Sequence, residues 1–163
     1  MAAVDYFLKM DGIEGESTDA EHPGSINVES FSWGATQAGS LATGGGGGAG
    51  KVQFQGFHFT TNTSKASPKI FLACASGEHI KKAQLFCRKA GGEQRAGFDF
   101  IKLTFTDVLI SSYQSGGSGG DMPTESVTFV FGKIEYVYTT QNSDGGIGSA
   151  VTAGWDVKAN QKV

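Results

Sequence analysis

A glycine-rich segment in the first third of the chain has the spacing of a phosphate-binding loop. Gly45, Gly50 and Lys51 match most of the G-x4-G-K pattern, in which backbone amides and the lysine bind phosphate. Val52 follows, where such a loop has the Ser or Thr that binds magnesium. The loop also needs a strand before it and a helix after it, but residues 52–60 alternate like a strand. The same context excludes the dinucleotide pattern Gly45-x-Gly47-x-x-Gly50, so we predict no cofactor.

Ser118 lies in Gly116-Gly117-Ser118-Gly119-Gly120, which has the G-x-S-x-G spacing of a serine nucleophile. That arrangement needs a strand-to-helix turn, and an acid and then a histidine further along the chain. His22, His58 and His79 are the three histidines, and all of them precede Ser118. We therefore predict that the chain is not an enzyme. A hydrolase that uses Ser118 is the least favoured alternative.

Cys74, His79 and Cys87 are residue types that bind zinc. Their spacing follows no common zinc pattern, and the sequence offers no evident fourth ligand. Cys74 lies in an apolar, helix-like run and Cys87 in a strand-like one. Both are predicted to be buried or half-buried thiols that pack as small hydrophobic side chains, with no metal site and no disulfide.

Length and composition predict one globular domain, residues 1–163. The chain has 163 residues, 39% of them hydrophobic, with 12 Phe. A net charge of -3 argues against nucleic-acid binding, since such proteins usually present a basic face.

The first residues lack the basic and apolar segments of a signal peptide, and no apolar run approaches the roughly 20 residues of a membrane helix. We expect synthesis in the cytoplasm, and any secretion without a cleaved signal.

Alternation of apolar and polar residues with a period of two indicates half-buried β-strands along most of the chain. The alternation changes phase at Gly56 and Gly132 and slips between Val28 and Phe31. Such slips indicate β-bulges. Seven or eight strands with repeated bulges predict a mainly β fold, a closed or nearly closed antiparallel barrel. The predicted strands are 6–10, 26–33, 52–60, 84–90, 98–110, 126–140 and 154–159.

One short segment has helical spacing instead. Ser67 is predicted to be the N-cap, Pro68 the first helical residue and Gly77 the stop. The helix is short, so packing against the barrel must hold it. Its predicted packing residues are Ile70, Phe71, Cys74 and Ala75.

Five consecutive glycines, Gly44–Gly48, separate two of the predicted strands. Such a run is typical of a flexible linker, but both flanks resume strand alternation within a few residues. The segment 41–50 therefore indicates an arm that reaches away from the domain. An arm with little core of its own needs a partner surface to become ordered. The sequence thus predicts a protein that assembles.

A series of short motifs follows in a fixed order along nearly the full chain. They are Gly15-Glu16-Ser17, Ser32-Trp33-Gly34, Gly44–Gly50 with Lys51-Val52, Ala73-Cys74, Ser76-Gly77-x-His79, Arg88-Lys89-Ala90-Gly91-Gly92-Glu93 and Ser115–Gly120. In this order they resemble the Hcp family, the tube protein of bacterial type VI secretion systems. Phe31, Phe54 and the segment 142–163 depart from the family pattern.

The resemblance implies a barrel of two antiparallel sheets with one helix against it, and six copies that close into a ring. Rings would stack into a hollow tube that a contractile sheath drives out of the cell. A spike protein would sit at the tip, and small effector proteins would ride in the lumen. By matched position Ser32 would face the lumen, and Ser118 is a second candidate. Ring contacts are implied for Gly44, Gly45, Gly46, Gly47, Gly48, Lys51 and Gly91.

The alternative from a different class is a monomeric β-barrel that binds a small ligand or glycan. In that reading exposed Trp33 or Trp155 would stack on a sugar ring. A ligand-dependent shift of tryptophan fluorescence without oligomerisation would favour it over the tube subunit.

Overall fold

The computed structural model describes residues 4–39, 51–91 and 97–163. Within these residues the chain forms nine β-strands and one α-helix. The mainly β fold and the single helix confirm the predicted fold class. The elements are β1 Val4–Met10, β2 Ile26–Val28, β3 Ser30–Gln37, β4 Val52–Asn62, α1 Ser67–Ser76, β5 His79–Lys89, β6 Phe98–Gly116, β7 Thr124–Gln141, β8 Ile147–Asp156 and β9 Gln161–Lys162.

The strands form one antiparallel network in the order β2-β1-β5-β6-β7-β4-β3, with β8 beside β7 and β9 beside β8. The first and last strands of this order, β2 and β3, are separated in the chain only by Glu29. The Glu29 N–H donates to the Thr60 carbonyl at 2.9 Å, and the Thr61 hydroxyl donates to the Asn27 carbonyl at 2.6 Å. These bonds bring the two ends of the sheet together.

The slip predicted inside 26–33 is a change of pairing partner. Ile26 and Val28 are buried and their strand pairs with β1, whereas β3 pairs with β4. One predicted strand is therefore two strands, with the break at Glu29. The break lets β3 turn Phe31 and Trp33 toward the core.

Gly56 marks a bulge in β4, as the phase change predicts. Ser32 lies opposite His58 and Gly34 lies opposite Gln55, so β4 has one more residue than β3 between these pairs. A Cβ on Gly56 would lie 2.7 Å from Thr128 Cγ2 and 3.0 Å from the Phe129 carbonyl oxygen. The bulge therefore requires a residue without a side chain.

In the long hairpin of β6 and β7, the alternation of buried and exposed residues shifts by one position on both strands at the same pair of residues. Thr106 pairs with Lys133 and Val108 with Phe131, which sets Asp107 opposite Gly132. Asp107 has a φ of 58°, a left-handed conformation that Asp adopts more readily than most residues. The change at Gly132 was predicted from its strand, whereas the one at Asp107 was not.

A lysine and a histidine lie against the Asp107 carboxylate at this position. Lys158 Nζ lies 2.9 Å from Oδ2 and His79 Nε2 lies 3.3 Å from Oδ1. The Lys158 hydrogen bond holds the pKa of Asp107 below its usual value. The Val157 N–H donates to the Gly132 carbonyl at 2.8 Å. These bonds attach the turn after β8 to the point where the hairpin bends.

Phenylalanine rings fill the centre of the domain. Phe57, Phe105 and Phe129 are fully buried, and each pair of their ring centroids lies 5.0 Å apart. They come from β4, β6 and β7. Burying one such side chain contributes about 1.5–3 kcal/mol, so this contact is a major term in holding the three strands together.

The helix spans the predicted segment, but three of its predicted details are wrong. Its first helical residue is Ser67, and Pro68 is the second. Ala66, not Ser67, is the N-cap, because the Ser67 hydroxyl donates at 2.8 Å to the buried Glu125 carboxylate. The buried positions are Ser67, Ile70 and Ala73, so Phe71, at 56% exposure, and Ala75 do not face the core as predicted. Gly77 does end the helix, with a φ of 68°.

The last part of the chain also differs from the prediction of a strand over 154–159. β8 begins earlier, at Ile147, and ends at Asp156, and a turn follows before β9. Small residues such as Gly148 and Ala150 resemble a loop in sequence, but pairing with β7 makes them a strand. Among the described residues, no helix has the length and apolar character needed to cross a membrane.

We predict that Gly56→Ala lowers the free energy of unfolding by about 1–3 kcal/mol, since the new methyl group overlaps Thr128 and the Phe129 carbonyl. Urea unfolding followed by tryptophan fluorescence measures the change. Gly116→Ala is the matched control, because Gly116 is also a strand glycine and its Cβ would meet nothing within 4 Å. Equal stability of the two variants would contradict the assignment of Gly56 to a tightly packed bulge.

Candidate functional surface

Four adjacent strands, β3, β4, β7 and β6, present one continuous outer face. Because side chains alternate along a strand, the inward direction of Phe57 and Phe129 turns His58 and Thr128 outward. Cross-strand pairing lines up Ser32, His58, Thr128 and Ser112 in one row.

A second row on the same face consists of Ser30, Thr60, Ser126 and Gln114. Pairing and alternation extend the face further on each strand. We call it the uncharged face and define it by fifteen side chains: Ser30, Ser32, Thr36, Gln53, Gln55, His58, Thr60, Asn62, Leu109, Ser112, Gln114, Thr124, Ser126, Thr128 and Val130.

None of these fifteen residues is Asp, Glu, Lys or Arg, although those types make up 18% of the chain. Polar side chains bond to one another along the rows: Ser30 Oγ lies 2.6 Å from Thr60 Oγ1, and Thr128 Oγ1 lies 2.9 Å from His58 Nδ1. The face can therefore make many weak hydrogen bonds but few of the stronger, charge-assisted ones.

The structure places Ser32 on the uncharged face, with its side chain exposed. Ser118 lies elsewhere, in the loop that connects β6 to β7. That loop begins after Gly116, which is paired with Thr124 at the end of the hairpin. Its hydroxyl donates to Asp121 Oδ2 at 3.4 Å. The two predicted lumen residues are thus on different parts of the domain.

Each of the three histidines bonds to a residue other than Ser118. His22 Nε2 lies 2.8 Å from Asp99 Oδ1, with its ring stacked between Phe7 and Phe86. His58 contacts Thr128, and His79 contacts Asp107. This geometry gives Ser118 no histidine base and does not support a serine hydrolase.

The predicted ring-contact residues are only partly within the described structure. Lys51 immediately precedes β4 and Gly91 follows β5, and both are exposed. Gly44, Gly45, Gly46, Gly47 and Gly48 lie outside the described residues. The segment that contains these glycines lies between Gln37 and Val52. Those two residues are paired with each other across β3 and β4.

Both cysteines carry free thiols. Cys87 is buried, and burial together with the nearby Asp99 carboxylate raises its pKa to about 12. Because the thiolate is the nucleophile and the metal ligand, Cys87 is poorly suited to either role. Cys74 is partly exposed on the helix. Among the described residues, no group of three or more His, Cys, Asp or Glu side chains could hold a metal ion.

Trp33 and Trp155, the candidate sugar-stacking residues, line one apolar groove of about 310 Å³. Trp33 packs on Tyr136 with ring centroids 5.7 Å apart, and the Trp155 indole N–H is buried without a hydrogen-bond partner among the described residues. A sugar site needs several placed polar groups beside its aromatic rings. The groove is also lined by Ala35, Phe54, Ile134, Ala153 and Gly154, so it does not fit a glycan.

Sequence reasoning found one residue of the uncharged face, Ser32, and missed the rest. A signal was present in Thr124-x-Ser126-x-Thr128, where hydroxyl residues alternate with Glu125, Val127 and other buried side chains. Alternation indicates that such residues share a side of a strand. It does not identify the neighbouring strands that extend the surface, and pairing supplied that information.

Comparisons with known proteins give consistent matches. A family model described as "Type VI secretion system effector, Hcp" matches residues 7–138. Protein hcp1 of Pseudomonas aeruginosa is 44% identical over 160 residues, which cover 97% of this chain and 98% of that protein.

Two solved structures share the whole fold. One is described as a type six secretion system protein, with a TM-score of 0.91 and 31% identity over 99% of this chain and 100% of that one. The crystal structure of Hcp1 from Salmonella typhimurium has a TM-score of 0.82 and 36% identity, with both chains fully covered.

Proposed function

Because this chain belongs to the Hcp family of the type VI secretion system, we propose that it is a tube subunit that also carries cargo. Hcp proteins are secreted structural components rather than enzymes, and they form hexameric rings. In our proposal six copies of this chain close into a ring, rings stack into a hollow tube, and small effector proteins occupy the lumen.

The uncharged face is the observation that carries this proposal. A lumen has to hold proteins and then release them. Ion pairs and charge-assisted hydrogen bonds are roughly twice as strong as neutral ones, so a surface free of Asp, Glu, Lys and Arg avoids tight binding of cargo. Four strands contribute to this surface, and Ser32 lies at its β3 side. We assign the uncharged face to the lumen.

Free strand edges support ring closure. On the side of β3 away from β4, none of the described residues pairs with it. Among the described residues, the outer side of β8 is bonded to β9 at Trp155 and Asp156 and to the Val163 N–H at Gly154, and the strand from Ile147 to Ala153 has no partner on that side. Exposed edges pair readily with another chain. Two different edges on one subunit suit a heterologous contact, which closes into a ring when the rotation permits.

The glycine-rich segment and its surroundings are the proposed stacking contacts. Since Gln37 and Val52 are paired, the segment leaves and re-enters the domain at one place. We propose that Gly44–Gly48 and Lys51, together with Gly91, contact the adjacent ring. The sheath outside the tube and the spike at its tip complete the assembly, and the chain leaves the cell as part of the tube, without a cleaved signal.

The first test of the proposed function is the mass of the purified protein in dilute buffer. We expect light scattering on a sizing column to give six times the mass of one chain, and negative-stain images of that peak to show rings with a central hole. A monomer at high concentration would overturn the tube subunit and favour a monomeric binding module.

Ser32→Gln is predicted to leave ring formation intact and to weaken retention of cargo, because the longer side chain projects from the uncharged face into the lumen. Co-elution of a cargo protein with purified rings measures retention. Ser76→Gln makes the same change on the exposed end of the helix and serves as the matched control. Unchanged retention in intact Ser32→Gln rings would count against the lumen assignment.

Deleting Gly45–Gly48 is predicted to preserve the folded domain and the ring but to weaken stacking. The paired ends Gln37 and Val52 can be joined by a much shorter connection, since two residues suffice between antiparallel strands. Circular dichroism and thermal unfolding check the fold, and electron microscopy at high protein concentration checks tube length. Loss of soluble folded protein would mean that these glycines belong to the core.

A further inference from the structure

We propose that His58 selects the cargo by favouring acidic protein surfaces when its ring is protonated. The inference rests on the proposed function, in which the uncharged face lines a lumen. His58 is the single titratable side chain among the fifteen residues that define this face. Histidine is also the side chain that ordinarily changes charge between about pH 5 and 8.

The residues paired with His58 on the two neighbouring strands are uncharged. Ser32 lies opposite it on β3, and Thr128 lies opposite it on β7 with a hydroxyl 2.9 Å from Nδ1. Ser112 follows beyond Thr128. Because the Thr128 hydroxyl contacts Nδ1, Nε2 is the ring nitrogen available to a cargo carboxylate.

Charged side chains border the face on several sides. Lys51 stands two residues before Gln53 at the start of β4. Lys133 of β7 and Lys82 of β5 both pair with Thr106, three residues before Leu109 on β6. Glu29 precedes Ser30 at the start of β3, and Asp121 lies in the connection between β6 and β7. Glu125 is buried on the opposite side of β7, at 2% exposure, where the Ser67 and Tyr113 hydroxyls donate to it. His79, paired with Asp107, lies one strand beyond Leu109 on β5.

A proton on His58 therefore supplies the one formal charge of the face. In a ring of six copies the same charge recurs six times around the lumen. Imidazolium donates charge-assisted hydrogen bonds to carboxylates, which are stronger than hydroxyl contacts, and it repels lysine and arginine. The ligand class that this site would take is an acidic protein segment, and binding would strengthen as the pH falls.

The test uses two labelled peptides of equal length, oligo-aspartate and oligo-lysine, bound to purified rings at about pH 5.5 and about pH 7.5. Aspartate side chains stay ionised at both pH values. We expect wild-type rings to bind oligo-aspartate roughly two- to fivefold more tightly at the lower pH, the range of an exposed ion pair. Oligo-lysine should show the opposite trend.

Three variants identify the responsible residue. His58→Gln replaces the ring with an uncharged polar side chain and should lose the pH dependence. His58→Lys keeps a charge at both pH values and should bind oligo-aspartate equally at both. His79→Gln changes a histidine at the border of the face, opposite Leu109 on β5. It should keep the wild-type pH dependence, which assigns the effect to His58 rather than to its neighbour.

Ring mass, measured for every sample at both pH values, separates the two ways to fail. Intact His58→Gln rings that keep the wild-type pH dependence would overturn the role of His58 and leave the tube subunit standing. A wild-type chain that forms no rings at either pH would overturn the proposed function and this inference with it.

Discussion

The contact of Phe57, Phe105 and Phe129 is the interaction on which the rest of this structure depends. The three rings, each 5.0 Å from the other two, join β4, β6 and β7 in the core. Since side chains alternate along a strand, burying these rings also determines which residues face outward. The same period of two thus produces the aromatic core and the neutral outer surface that includes His58 and Thr128.

Departures from the period of two shape the strands into a domain. Glu29 lets the chain change from pairing with β1 to pairing with β4, and the bulge at Gly56 accommodates the close approach of Thr128. Asp107 and Gly132 shift the buried face of β6 and β7 together. Beyond that rung β7 exchanges β4 for β8 as its neighbour. Each departure therefore marks a place where a strand changes its neighbour or its buried face.

The proposed tube and its cargo would make opposing demands on this fold. Assembly is served by free edges on β3 and β8 and by an exposed apolar groove, because such surfaces favour contact with another protein. Transport is served by a surface that binds weakly. β3 contributes to both kinds of surface, since its free edge lies beside the residues that it adds to the uncharged face. In our proposal His58 is the one histidine on the face that we assign to the lumen.

The sequence by itself determined the local features: alternation along the strands, the bulge at Gly56, the helix stop at Gly77, and a set of ordered motifs that indicated the family. Only the tertiary structure decided which strands are neighbours. It gave the Ser67 hydroxyl a partner, Glu125, that lies 58 residues away, and it made a strand of the small residues from Ile147 onward. It also grouped Ser32 with His58 and the other residues of the uncharged face. The physical reason is that alternation assigns each residue to one of two sides of its own strand, whereas a surface forms from strands that are distant in the chain and that pairing brings side by side.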